Sequence, residues 1–181
     1  MVRTFVAVEF PVDFAQIVKE VQESFRDLGK MKMVPAEIVH VTLKFLGDVD
    51  EDKIADVGQS LENISCEPFT CLIKGTGVFP NVRRPRVLWL GMEGDFDPLH
   101  KQVEYYLEKE GFEPDKREFT AHATIARIKH IPRSNMEQFA SMVEEMENVE
   151  FGKFTVDNFR LKKSILTPEG PVYETLRQFN L

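Results

Sequence analysis

Two short segments carry the same pattern, His40-Val41-Thr42 and His122-Ala123-Thr124. An imidazole titrates near neutral pH, so two of them can divide the work of general base and general acid. A hydroxyl two residues further on can donate a hydrogen bond to a non-bridging phosphate oxygen. Such a donor stabilises the charge of a five-coordinate transition state. The set suits in-line attack of water on a phosphodiester, one His deprotonating the water and the other protonating the leaving oxygen. A strained, compact five-membered cyclic phosphate is an apt substrate. Either motif alone is weak evidence, because Thr is a good strand former and a strand His is often simply hydrogen-bonded.

The separation of the two motifs adds weight to both. A shift of 82 residues carries His40 onto His122 and Thr42 onto Thr124. The same shift lays Phe5-Val6-Ala7-Val8 on Val87-Leu88-Trp89-Leu90, Val21 on Val103 and Gly29 on Gly111, with no gap. The chain is therefore expected to hold two copies of one unit, roughly 1–82 and 83–181, in a single domain. Core packing alone would not need His and Thr in both copies where most other positions differ.

Positioning falls to the strands. Side chains alternate along a strand, so each His shares a face with its Thr. Val41, Leu43 and Phe45 are expected on the opposite, core side. Residues 3–9, 38–46, 69–79, 86–92 and 119–128 have strand patterns, and 153–166 with 172–179 resembles a hairpin around Thr167-Pro168-Glu169-Gly170. Helical spacing runs from Val12 to Leu28, from Asp50 through Leu61, from Asp95 or Asp97 to Glu110, and over 133–147. Each unit is strand, helix, H-x-T strand, helix, strand. Packing about a pseudo-twofold axis would set the two H-x-T strands face to face.

Composition bounds the function. The 181 residues are ordinary for a globular protein, with 43% hydrophobic and 29% charged residues. A net charge of −7 counts against a broad nonspecific nucleic-acid surface. It leaves room for recognition of a few phosphates by a local cluster, and Arg83-Arg84-Pro85-Arg86 and Lys162-Lys163 are the basic clusters available. Cys66 and Cys71 lack metal or redox spacing, and the four histidines form no zinc pattern. No metal and no cofactor is expected. No apolar run approaches the ~20 residues that span a bilayer, and the N-terminus lacks signal-peptide character. A cytoplasmic protein without a membrane partner is expected.

With these residues in view, the chain resembles the two-histidine (2H) phosphoesterases, and among them the RNA 2',3'-cyclic phosphodiesterases once called 2'-5' RNA ligases. The resemblance runs from Arg3-Thr4-Phe5-Val6-Ala7-Val8-Glu9 through His40-Val41-Thr42-Leu43-Lys44-Phe45-Leu46-Gly47 and Arg86-Val87-Leu88-Trp89-Leu90-Gly91 to His122-Ala123-Thr124-Ile125-Ala126-Arg127. It implies a bilobed α+β fold, with two antiparallel sheets lining a central cleft and helices outside. It implies hydrolysis of a 2',3'-cyclic phosphate at an RNA end, such as a tRNA half, to a 2'-phosphate, with weak reversible 2'-5' ligation. By the same analogy His122 is the proton acceptor, His40 the proton donor, and Thr42 and Thr124 bind phosphate. Arg127 holds the nucleotide, and Phe5 stacks on the terminal base or else belongs to the core. Strict alternation puts Arg127 on the face opposite His122, so it reaches the cleft only where the strand ends, bulges or twists. A monomer is expected. Two other readings remain open: a cyclic phosphodiesterase of small nucleotides or ADP-ribose cyclic phosphate, and a non-catalytic module binding RNA ends.

Overall fold

The computed structural model describes residues 1–168 and 170–181. Glu169, in the turn expected over Thr167–Gly170, lies outside the described residues. Strand β1 (Val2–Glu9) leads through a 3-10 turn into α1 (Ala15–Arg26). Next come β2 (Lys30–Met33), β3 (His40–Val49), α2 (Glu51–Leu61) and β4 (Phe69–Phe79). The second half runs β5 (Val87–Glu93), α3 (Phe96–Lys109), β6 (His122–His130), α4 (Met136–Glu145) and β7 (Glu150–Val156). A hairpin of β8 (Asn158–Thr167) and β9 (Gly170–Asn180) completes the chain.

The strands form two arrays, β7-β4-β5-β6 and β3-β1-β8-β9, which meet where β6 neighbours β3. That seam is one antiparallel residue pair, Val41 with Ala123. Two lobes are thereby joined into a single nine-stranded antiparallel sheet, with β2 paired to β6 beyond the seam. The lobes do not follow the chain's midpoint. β4 pairs with β5 and β7, whereas β8 pairs with β1, so each half lends a strand to the other lobe. The strand expected over 153–166 accordingly breaks at Asp157, where the chain leaves β4 and crosses to β1.

Helices cover one face of this sheet through their apolar stripes. Val18, Val21 and Phe25 of α1 and Phe96, Leu99, Val103 and Leu107 of α3 are buried at helical spacing. They pack with Val41, Leu43, Ala123 and Ile125, the core-facing residues of the two motif strands. After α3 the chain turns at Gly111, whose φ of +86° is a left-handed conformation that favours glycine. β2 escaped sequence reading because Lys-Met-Lys-Met is short and half charged. Among the described residues, no helix is long and apolar enough to cross a membrane.

Candidate active site

His40 opens β3 and His122 opens β6, on strands that run antiparallel across the seam. Extending the register from Val41 and Ala123 sets His40 across from Thr124 and Thr42 across from His122. All four residues line one cleft of about 410 Å³. Each motif thus presents an imidazole and a hydroxyl to a shared space, and each threonine lies beside the other copy's histidine.

Both imidazoles are held in the same way. The Ile38 carbonyl lies 2.9 Å from His40 Nδ1, and the Thr120 carbonyl lies 2.6 Å from His122 Nδ1. A carbonyl only accepts, so Nδ1 carries the proton in each ring and Nε2 is left for chemistry. Aromatic rings wedge them further. Phe5 and Tyr173 flank His40 at 4.9 and 5.2 Å between centroids. Phe79 and Trp89 flank His122 at 4.9 and 5.9 Å. The Trp89 ring lies so close over Gly77 that a Cβ there would come within 2.1 Å of it. Burial among these rings lowers both imidazoles below their ordinary range, against the opposing pull of the carbonyl bonds. For His40 the nearby Lys162 and His122 charges lower it further.

Beyond each motif the strand bulges. Leu88 pairs with Ala126 and Trp89 with Thr124, so Ile125 is an extra residue in β6. Val6 pairs with Lys44 and Ala7 with Thr42, so Leu43 is the matching extra residue in β3. A bulge reverses the alternation after it. Ile125 and Ala126 are consecutively buried, and Arg127 comes round to line the cleft. This meets the condition that strict alternation set for Arg127. Leu43 and Lys44 are likewise both buried, and Phe45 turns outward. The expectation that Phe45 belongs to the core is therefore corrected: it is 72% exposed and lines the cleft.

The bulge in β6 has its own lock. Gln22, only 4% exposed on α1, donates from Nε2 to the Ile125 carbonyl at 2.8 Å and to the Val34 carbonyl at 2.6 Å. The Val34 N–H donates to the Ile125 carbonyl at 2.9 Å. Lys44, turned inward by the other bulge, pairs with Glu104 at 2.7 Å and donates to the Glu113 carbonyl at 2.8 Å. Glu104 also accepts the Asp115 N–H, and His100 of α3 stacks on Phe119 at 4.0 Å. These contacts tether the segment 113–120, which ends in the Thr120 carbonyl that orients His122. The first motif strand thus helps to place the second motif.

Phe5 also lines the cleft, but it is 3% exposed and packed among His40, Phe45 and Tyr173. Arg3, Lys32 and Tyr173 line the cleft as well, and sequence reading did not single them out. No Asp or Glu lines it among the described residues. Nor do Arg3 and Arg127 belong to an ion pair among them. Among the described residues, an acidic chain has gathered unpaired positive charge here, as an anionic ligand requires. The expected basic clusters do otherwise. Lys162 is buried and bound with Arg160 to Glu9, and Lys163 pairs with Glu174. Arg83 and Arg84 are exposed in the β4–β5 turn, outside the cleft lining. Among the described residues no group of three His, Cys, Asp or Glu is placed to hold a metal ion.

Known proteins match almost the whole chain. A family model described as LigT like Phosphoesterase matches residues 7–89 and 92–173. A protein of Archaeoglobus fulgidus named RNA 2',3'-cyclic phosphodiesterase is 40% identical over 179 residues, covering 98% of this chain and 99% of the relative. One of the same name from Aeropyrum pernix is 42% identical over 149 residues, covering 81% of this chain and 84% of the relative. The crystal structure of TT0787 of Thermus thermophilus superposes with a TM-score of 0.80 at 31% identity, over 99% of this chain and 97% of that one.

Proposed function

The chain belongs to the LigT-like phosphoesterase family, and from that premise we propose that it hydrolyses 2',3'-cyclic phosphate RNA ends to 2'-phosphates with two histidines and no metal. The observation that carries this reading is the pair of imidazoles in one cleft, each with Nδ1 bound to a carbonyl and, among the described residues, no hydrogen bond at Nε2. The cyclic phosphate sits between them, its non-bridging oxygens taking hydrogen bonds from Thr42 and Thr124. His122 Nε2 removes a proton from water as the water oxygen bonds to phosphorus. The bond from phosphorus to O3' breaks, and His40 delivers its proton to that oxygen, leaving the 2'-phosphate. Burial lowers both imidazoles, and the Lys162 charge weakens His40's hold on a proton further, which suits it to the donor role. Arg127 holds the terminal nucleotide, and Phe5 supplies the apolar wall beneath its base. The same displacement with an RNA 5'-hydroxyl in place of water forms a 2'-5' phosphodiester as the bond to O3' breaks, which accounts for weak, reversible 2'-5' ligation. Both histidines and both threonines come from one chain, so a monomer suffices.

The test is an RNA oligonucleotide ending in a 2',3'-cyclic phosphate, incubated with the protein and excess EDTA. The expected product is a 2'-phosphate end. A tRNA half and a cyclic mononucleotide run in parallel, and faster turnover of the mononucleotide would shift the substrate from RNA to small nucleotides. No product, or product only with added metal, would overturn the proposal.

A further inference from the structure

Beyond the catalytic residues, aromatic rings lead from the reaction centre to solvent. The His40 ring is 4.9 Å from Phe5, and Phe5 is 6.2 Å from Phe45. Exposure rises along this ladder, from 3% at Phe5 to 72% at Phe45. An aromatic ring this exposed stands in a strand only because Leu43 is bulged, which turns Phe45 out of the core and onto the cleft. The bulge at Ile125 does the same for Arg127, so Phe45 and Arg127 hold equivalent places in the two halves, 82 residues apart. Leu166, 70% exposed, lines the cleft with Phe45. Arg3 also lines the cleft, two residues before Phe5 on β1, and has no ion pair among the described residues.

We propose that Phe45 and Arg3 form a second nucleotide subsite, in which Phe45 stacks the base next to the terminal one and Arg3 takes the phosphate between them. The proposal rests on the cyclic phosphodiesterase reading and deepens it by giving the enzyme a reason to prefer RNA over a mononucleotide. A stacking platform serves any base, because each has a π face. Arg3 is close to the Phe5 rung, where the terminal base is held, and the linking phosphate must pass between the two rungs. The occupant is a single RNA strand, since stacking on Phe45 takes the face of an unpaired base.

The experiment compares KM for three substrates, each ending in a 2',3'-cyclic phosphate: a mononucleotide, a short oligonucleotide, and that oligonucleotide with its penultimate base removed. With the native chain, loss of the penultimate base should raise KM roughly tenfold, toward the mononucleotide value. In Phe45→Ala the intact and abasic oligonucleotides should become equivalent, and Phe45→Trp should restore the difference. Arg3→Ala should raise KM for both oligonucleotides more than for the mononucleotide. Equal KM values for intact and abasic oligonucleotides in the native chain would overturn the subsite. So would a Phe45→Ala variant that still discriminates between them. Failure to hydrolyse all three would overturn the cyclic phosphodiesterase reading itself, a distinguishable outcome.

Discussion

Gln22 offers a test of how the fold places Arg127. It stands on α1, 103 residues before Ile125, yet its amide holds the carbonyl of that bulged residue. Gln22→Leu fills the same space but removes one buried and one part-buried hydrogen bond and leaves the Val34 carbonyl without this donor. A buried acceptor left unpaired costs about 1–3 kcal/mol; the Val34 carbonyl is only part-buried, the Ile125 carbonyl keeps the Val34 N–H, and the added apolar burial offsets part of the loss, so a net loss of about 1 kcal/mol is expected. The effect on activity follows from the bulge. Without its lock, β6 can pair regularly with β5, and a one-residue slip moves Arg127 to the other face. A charge-assisted hydrogen bond to an anionic substrate is worth ~1.5–3 kcal/mol, so KM should rise by roughly 10-fold or more. His122 and Thr124 precede the bulge, so kcat should change much less. Steady-state kinetics on a cyclic-phosphate oligonucleotide, well below the melting temperature, would read this. Arg127→Ala should give a similar rise in KM, and the double variant should be no worse than Arg127→Ala alone. Additive losses, or a fall in kcat at constant KM, would refute the claim that Gln22 acts through Arg127.

Other expectations follow from the same geometry. Thr42→Val and Thr124→Val should each lower kcat by ~10–10², with little change in KM, because each removes a donor that matters most in the transition state. Lys44→Met should destabilise the protein by about 2–3 kcal/mol in chemical denaturation, since it strands the part-buried Glu104. Replacing Glu104 with Leu as well should recover much of that stability. The double variant should still turn over slowly, because the segment carrying Thr120 has lost its tether.

The motifs and the repeat were legible because alternation on a strand is a local rule, and His-x-Thr obeys it over three residues. The α+β class followed from apolar spacing, which places Val18, Val21 and Phe25 on one helix face without reference to the rest of the chain. The bulges were not legible. Leu43 and Ile125 are ordinary strand residues, and their irregularity arises from the partner strands and, at Ile125, from Gln22 over a hundred residues away. Phe45 was misplaced for that reason. Lys162 was misread because a Lys-Lys pair resembles a surface cluster, whereas Glu9 on the neighbouring strand draws one of the two into the sheet. Arg3 and Tyr173 carry no motif, and only strand pairing brings them to the cleft.

The division of labour between the histidines is tested most directly by the pH dependence of kcat/KM. Burial lowers both imidazoles below their ordinary 6.5. The proton acceptor must be neutral, so activity falls as pH drops through its pKa. The proton donor must be charged, so activity falls as pH rises through its pKa. Both limbs belong to the free enzyme, and the native bell should peak on the acid side of 6.5. His122→Ala and His40→Ala should each retain a residue of activity, lowered ~10²–10⁴-fold. His122→Ala should lose the acid limb and His40→Ala the alkaline limb. Loss of the opposite limb in each variant would reverse the assignment. A bell that persists unchanged in either variant would contradict catalysis by the histidine pair.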